Sequence, residues 1–145
     1  INQNSTQMAV RYTYGGKQYY QIYNLANGRF INPRNPVKRI CLSATSGDFQ
    51  GFDLYGTSIY TIEGSPRKSF LLGYDRSRRY QPTKIRRYNY AARSKKTITV
   101  RGAKTLSFRE PEGIKVLAGG QIYMMYVSNT LTNQSCNIYR VKRKI

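Results

Sequence analysis

Histidine and tryptophan are absent, and acids are scarce: Asp48, Asp53, Glu63, Asp75, Glu110 and Glu112 are the six carboxylates in 145 residues. Without histidine, the commonest general base near neutral pH and the usual orienter of a Ser or Cys nucleophile are missing. Glu110 and Glu112 stand close enough to suggest a carboxylate pair, but Arg109 and Lys115 beside them are expected to hold both ionised. Two cysteines, Cys41 and Cys136, do not make a metal cluster. Asp48 and Asp53 flank a glycine-containing loop without the dense oxygen spacing of a calcium site. Neither Gly15-Gly16-Lys17 nor Gly119-Gly120 has the spacing of a phosphate loop. These absences point away from catalysis, and neither a metal nor a cofactor is expected. The two cysteines allow one disulfide, which an oxidising compartment would favour. No run of ~18 apolar residues exists, so no transmembrane helix is expected, and no signal-peptide pattern is visible.

Positive charge is what the chain has in excess. Lys and Arg total 25, for a net charge of +19 and a pI near 10.3. A field of that size attracts nucleic acid, sulfated glycan or an anionic surface. From Arg76 to Lys104 the basic residues are Arg76, Arg78, Arg79, Lys84, Arg86, Arg87, Arg93, Lys95, Lys96, Arg101 and Lys104, with no acid among them. Tyr80, Tyr88 and Tyr90 are interleaved. On an extended segment, Arg86, Tyr88 and Tyr90 share one face and Arg87 takes the other. Guanidinium groups beside phenol rings suit single-stranded nucleic acid, where cations follow phosphates and rings stack bases. The expected polyanion site is therefore Arg76, Arg78, Arg79, Lys84, Arg86, Arg87, Tyr88, Tyr90, Arg93, Lys95 and Lys96. Arg140, Lys142, Arg143 and Lys144 form a secondary cluster, and Arg34, Lys38 and Arg39 a weaker third.

The chain is one domain long, 1–145, and large enough for an ordinary core. Its period is two nearly throughout, with no clean helical stretch. Met8, Val10, Tyr12 and Tyr14 alternate up to Gly15-Gly16, and Tyr20 and Ile22 follow, which reads as a hairpin. Further strands are expected at 37–42, 52–62 with a break at Gly56, 69–72, 85–90, 97–101, 106–109, 114–117, 122–127 and 136–141. Glycines and prolines punctuate them. The pattern implies an all-β domain of about 10–13 short strands, a barrel or a sandwich of jelly-roll type among the candidates.

Three stretches repeat at a common spacing: Tyr20-Gln21-Ile22 with Phe30-Ile31, Tyr60-Thr61-Ile62 with Phe70-Leu71, and Leu106-Ser107-Phe108 with Val116-Leu117. With Asn27-Gly28 as a hairpin turn, and Cys41-Leu42-Ser43-Ala44 before Phe52 as the next strand pair, the chain resembles a β-trefoil. That is the fold of fibroblast growth factors, interleukin-1-like cytokines and ricin-type lectins. The resemblance implies a β-trefoil-like fold and brings no site residue with it.

Three function classes follow. Nucleic-acid binding, including a genome-contacting capsid protein, fits the Arg and Tyr content. A secreted basic factor or lectin-like module binding sulfated glycan or a cell-surface receptor fits the trefoil pattern and the acceptor tripeptides Asn4-Ser5-Thr6 and Asn133-Gln134-Ser135. A fibre or pilus subunit fits an all-β chain with a glycine-rich apolar segment from Gly113 to Val127. A secreted or virion-associated location is expected over an intracellular one.

Overall fold

The computed structural model describes residues 1–43, 48–64, 82–106, 109–129, 134–143 and 145. Eleven strands build three antiparallel sheets, with no α-helix and no closed barrel among these residues. The first sheet holds β1 (Gln7–Tyr14), β2 (Lys17–Ala26), β3 (Arg29–Phe30) and β4 (Lys38–Leu42), with β2 between β1 and the other two. The second runs in the order β5 (Phe49–Tyr55), β6 (Ser58–Glu63), β7 (Thr83–Asn89) and β8 (Ser94–Val100). The third holds β9 (Glu110–Leu117), β10 (Gln121–Asn129) and β11 (Gln134–Arg140), with β10 central.

Local sequence explains the hairpins. Gly15-Gly16 joins β1 to β2 and Asn27-Gly28 joins β2 to β3, and all four residues have positive φ. Two-residue loops of that kind match the twist of paired strands, and they favour Gly and Asn because a Cβ is strained there.

The second sheet is the middle layer. Every residue of β6 is buried, and alternate side chains enter two different cores. Ile59 joins Leu54 against Ala9, Tyr20, Ile22 and Ile40 of the first sheet. Tyr60 and Ile62 join Ile85 against Val116, Ile122, Met124 and Tyr126 of the third. Burying such an aliphatic side chain contributes ~1.5–3 kcal/mol relative to exposure. Asp53 ties the facing edges of the middle and third sheets. Its Oδ2 accepts from the Val116 N–H at 2.7 Å, and its Oδ1 lies 3.1 Å from Lys115 Nζ.

Several expectations need correction. The β-trefoil expectation is not confirmed: among the described residues the hairpin at Asn27-Gly28 is only two residue pairs long, and β6 pairs with β5 and β7 inside a four-stranded sheet. The strand expected at 69–72 lies outside the described residues. Leu106 and Arg109 are not in a strand, and Arg109 turns inward at φ 43°. Its Nε donates to the Gly102 carbonyl at 2.9 Å, and its Nη2 donates to the Tyr126 hydroxyl at 2.9 Å. On β1 the apolar set faces outward. Ala9 enters the core, whereas Val10, Tyr12 and Tyr14 are exposed, with Tyr12 stacked on its cross-strand partner Tyr19 at 5.1 Å. Cys41 and Cys136 do not bridge. Both are free and exposed, because β4 and β11 belong to the two outer sheets.

Candidate functional site

Where the first sheet meets the second half of the middle sheet, a cleft of about 90 Å³ opens. Gln18 and Leu42–Ser43 form one wall, and Thr61, Arg86, Tyr88, Lys95 and Thr97 form the other. Register brings the second wall together. Thr61 stands opposite Arg86, Arg86 opposite Thr97 and Tyr88 opposite Lys95, and residues directly opposite in an antiparallel pair share a face. Gln18 is buried, and Tyr20 Oη donates to its Oε1 at 3.3 Å. Burial pushes the Tyr20 phenol up to about 12 against the opposing pull of Arg11, so this hydroxyl stays protonated at neutral pH.

Arg86 is the organised cation of the cleft. Its Nε lies 3.1 Å from Glu63 Oε1, and Glu63 is 1% exposed. The N–H is not aligned for a hydrogen bond, so the contact is an ion pair held by charge. Nε is fully buried while the side chain as a whole is 34% exposed, so the exposure belongs to the rest of the group. Burial raises the Glu63 carboxyl above its ordinary 4.5, with Arg86, Lys84 and Thr61 pulling it back down. Its Oε2 has no partner among the described residues.

Other expected site residues fall elsewhere. Arg76, Arg78 and Arg79 lie outside the described residues. Lys84 shares the Arg86 face, opposite Glu63. Arg87 borders the cleft, but its guanidinium is committed on the opposite face. There Nε donates to Ser58 Oγ at 3.0 Å, Nη1 donates to the Ile145 carbonyl at 3.2 Å, and the group sits 5.9 Å from the Tyr60 ring. Tyr88 and Tyr90 pack against the core shared with the first sheet, and Tyr90 Oη donates to the Gly56 carbonyl at 3.3 Å. Lys95 reaches back to 5.8 Å from the Tyr88 ring, Lys96 borders the cleft, and Arg93 is exposed in the β7–β8 turn. Arg140, Lys142 and Arg143 are exposed on and beyond β11, on a different sheet, and Lys144 lies outside the described residues. Lys38 and Arg39 are exposed on β4. Among the described residues the basic side chains form separate groups, and the β7–β8 group lines this cleft.

Glu63, Gln18, Ser43, Thr61 and Thr97 were not legible as site residues, because strand register brings Glu63, Thr61 and Thr97 to Arg86 and the packing of the first sheet on the middle one brings Gln18 and Ser43. The carboxylate pair behaves differently from expectation. Burial, and next the charge of Glu110, raises the Glu112 carboxyl, since Arg109 is turned into the core and Lys115 is engaged by Asp53. Among the described residues no group of three or more potential metal ligands occurs, and no helix is long and apolar enough to cross a membrane.

No protein-family model and no curated protein matches the sequence. Among solved structures, the tail fiber of Staphylococcus aureus phage P68 is similar, with a TM-score of 0.67 at 16% identity over 95% of this chain. The match covers 27% of that chain, so this chain spans about a quarter of its length. At that identity the likeness is one of fold.

Proposed function

We propose that this chain is a non-enzymatic, virion-associated fibre domain that holds a polyanionic polymer at the cleft face of β7 and β8. The fold likeness to a phage tail fiber over 95% of the chain carries the fibre reading. The charge of +19 and the Glu63-held Arg86 at the cleft support the polyanion. A phosphorylated or sulfated glycan fits better than a single-stranded nucleic acid held by stacked bases. Tyr88 and Tyr90, the rings expected to stack bases, are half-buried against the core, Tyr88 lining the cleft beside Arg86, Lys95 and the hydroxyl residues Ser43 and Thr97.

The test is binding of the purified chain to heparin, single-stranded DNA and duplex DNA across a salt series, after nuclease treatment and a check of the ultraviolet absorbance ratio. Saturable, salt-sensitive heparin binding with no preference for single strands over duplex is expected. Binding to none of the three at low salt would reject the polyanion. A strong preference for single strands, lost on Tyr88→Ala, would restore the nucleic-acid reading. Immunogold labelling of virions that leaves the fibres bare would overturn the fibre assignment.

A further inference from the structure

We infer that the cleft is a site for one tetrahedral oxyanion, a phosphate or sulfate group, and that Glu63 is the positioning residue that aims Arg86 at it. The inference deepens the polyanion reading, on which its biological meaning rests, by naming the chemical group that is gripped.

Size decides first. At ~10–15 Å³ per water-sized group, about 90 Å³ holds roughly six to nine such groups. That is room for one tetrahedral oxyanion, with the rest of its ligand lying outside the open cleft. The lining agrees with an oxyanion: Arg86 and Lys95 carry charge, and Ser43 and Thr97 are hydroxyl residues, while the Thr61 hydroxyl lies 3.5 Å from Glu63 Oε1. No carboxylate is among the lining residues.

Arg86 supplies the directional contact. A guanidinium presents five N–H donors in a rigid fork, and anchoring Nε leaves the two terminal nitrogens available for a bidentate grip on an oxyanion. The anchor is a carboxylate that is itself almost wholly buried, with one oxygen unpartnered among the described residues. A buried ion pair of imperfect geometry is a poor source of stability, since desolvation offsets the attraction. Keeping the Arg86 guanidinium at the cleft by charge is what this pair can contribute. Lys95, close to the Tyr88 ring across the strand pair, adds charge at the rim.

Inorganic phosphate is the probe, titrated into the whole chain near pH 7 at low ionic strength and followed by amide and arginine ¹⁵N resonances. Chloride at matched ionic strength serves as the control. Phosphate and sulfate should each shift Thr61, Thr97 and Arg86 saturably while chloride does not. A sugar phosphate and a sulfated sugar then distinguish the two ester sources. Arg86→Lys keeps the charge and loses the fork, and should weaken phosphate by about tenfold or more, the effect of one charge-assisted contact. Lys95→Gln, an exposed change, should weaken it several-fold without touching the fold. Glu63→Gln should move the Arg86 Nε resonance before any ligand is added and weaken phosphate, which a purely structural role would not do together. Equal response to chloride, or unchanged phosphate affinity in Arg86→Lys and Lys95→Gln, would overturn the site. Unchanged affinity and an unmoved Nε resonance in Glu63→Gln would overturn the role of Glu63. Phosphate binding with no polymer binding would leave the site standing and remove the polymer reading instead.

Discussion

The two faces of the middle sheet solve the same packing problem in opposite ways. Toward the third sheet, the buried arginine is Arg109, whose guanidinium donates to a carbonyl and to the Tyr126 hydroxyl and lies 4.5 Å from that ring. Tyr126 Oη in turn donates to Thr83 Oγ1 at 2.9 Å. Toward the first sheet, Arg11 has its guanidinium 3.5 Å from the Phe49 ring and beside the Tyr20 phenol, with a buried Nε that has no partner among the described residues, and Glu63 Oε2 likewise has none there. A half-satisfied polar layer weakens a core. One face is built to hold, and the other gives up some stability.

Substitutions at matched positions test that contrast, the largest effect first. Arg109→Met should cost about 3 kcal/mol in urea unfolding, because hydrogen-bonded groups on the third-sheet side lose their donor. Asp53→Ala should cost about 1.5–3 kcal/mol for its charge-assisted bonds at the sheet edge. Arg11→Met should stay within about 1 kcal/mol of the parent, since an apolar side chain replaces a charge whose buried nitrogen is unpaired. If Arg11→Met proved as damaging as Arg109→Met, the two faces would be equivalent and the contrast wrong.

Acidity gives a subtler probe. Burial raises the folded-state pKa of Glu63, so its contribution to stability is fully present below the unfolded carboxylate value and is lost as pH rises through the folded one. The urea midpoint of Glu63→Gln should therefore gain on the parent as pH climbs from about 4 to 7. A gap that narrows over that range would contradict the burial-dominated shift. The smallest effect is none. Reductant should leave the thermal midpoint unmoved, because Cys41 and Cys136 are free thiols.

What could be read from the sequence was whatever depends on neighbours along the chain. Period-two runs marked most strands, and Gly15-Gly16 and Asn27-Gly28 marked two hairpins. Alternation also separated Arg86 and Tyr88 from Arg87. What could not be read depends on layering. Val10, Tyr12 and Tyr14 carry the pattern of a buried face, yet Ala9 is the residue that enters the core, since two-sided burial was assigned elsewhere, to β6. Tyr88 and Tyr90 look free beside so much charge, but both are half-buried against the core shared with the first sheet. Glu63 reads as an isolated acid until β6 and β7 are placed in register.

β6 has no outside. Its six residues are covered on both faces, and β5 and β7 take its two edges. Solvent can reach its amide protons only when whole layers separate, so they should exchange with deuterium only through global opening. Among the described residues β1 and β11 each have a strand on one edge alone, and their amides should exchange first by local fraying. The order of exchange across the three sheets would then trace the layers from the rim inward, with Ile59 to Ile62 the last protons to go.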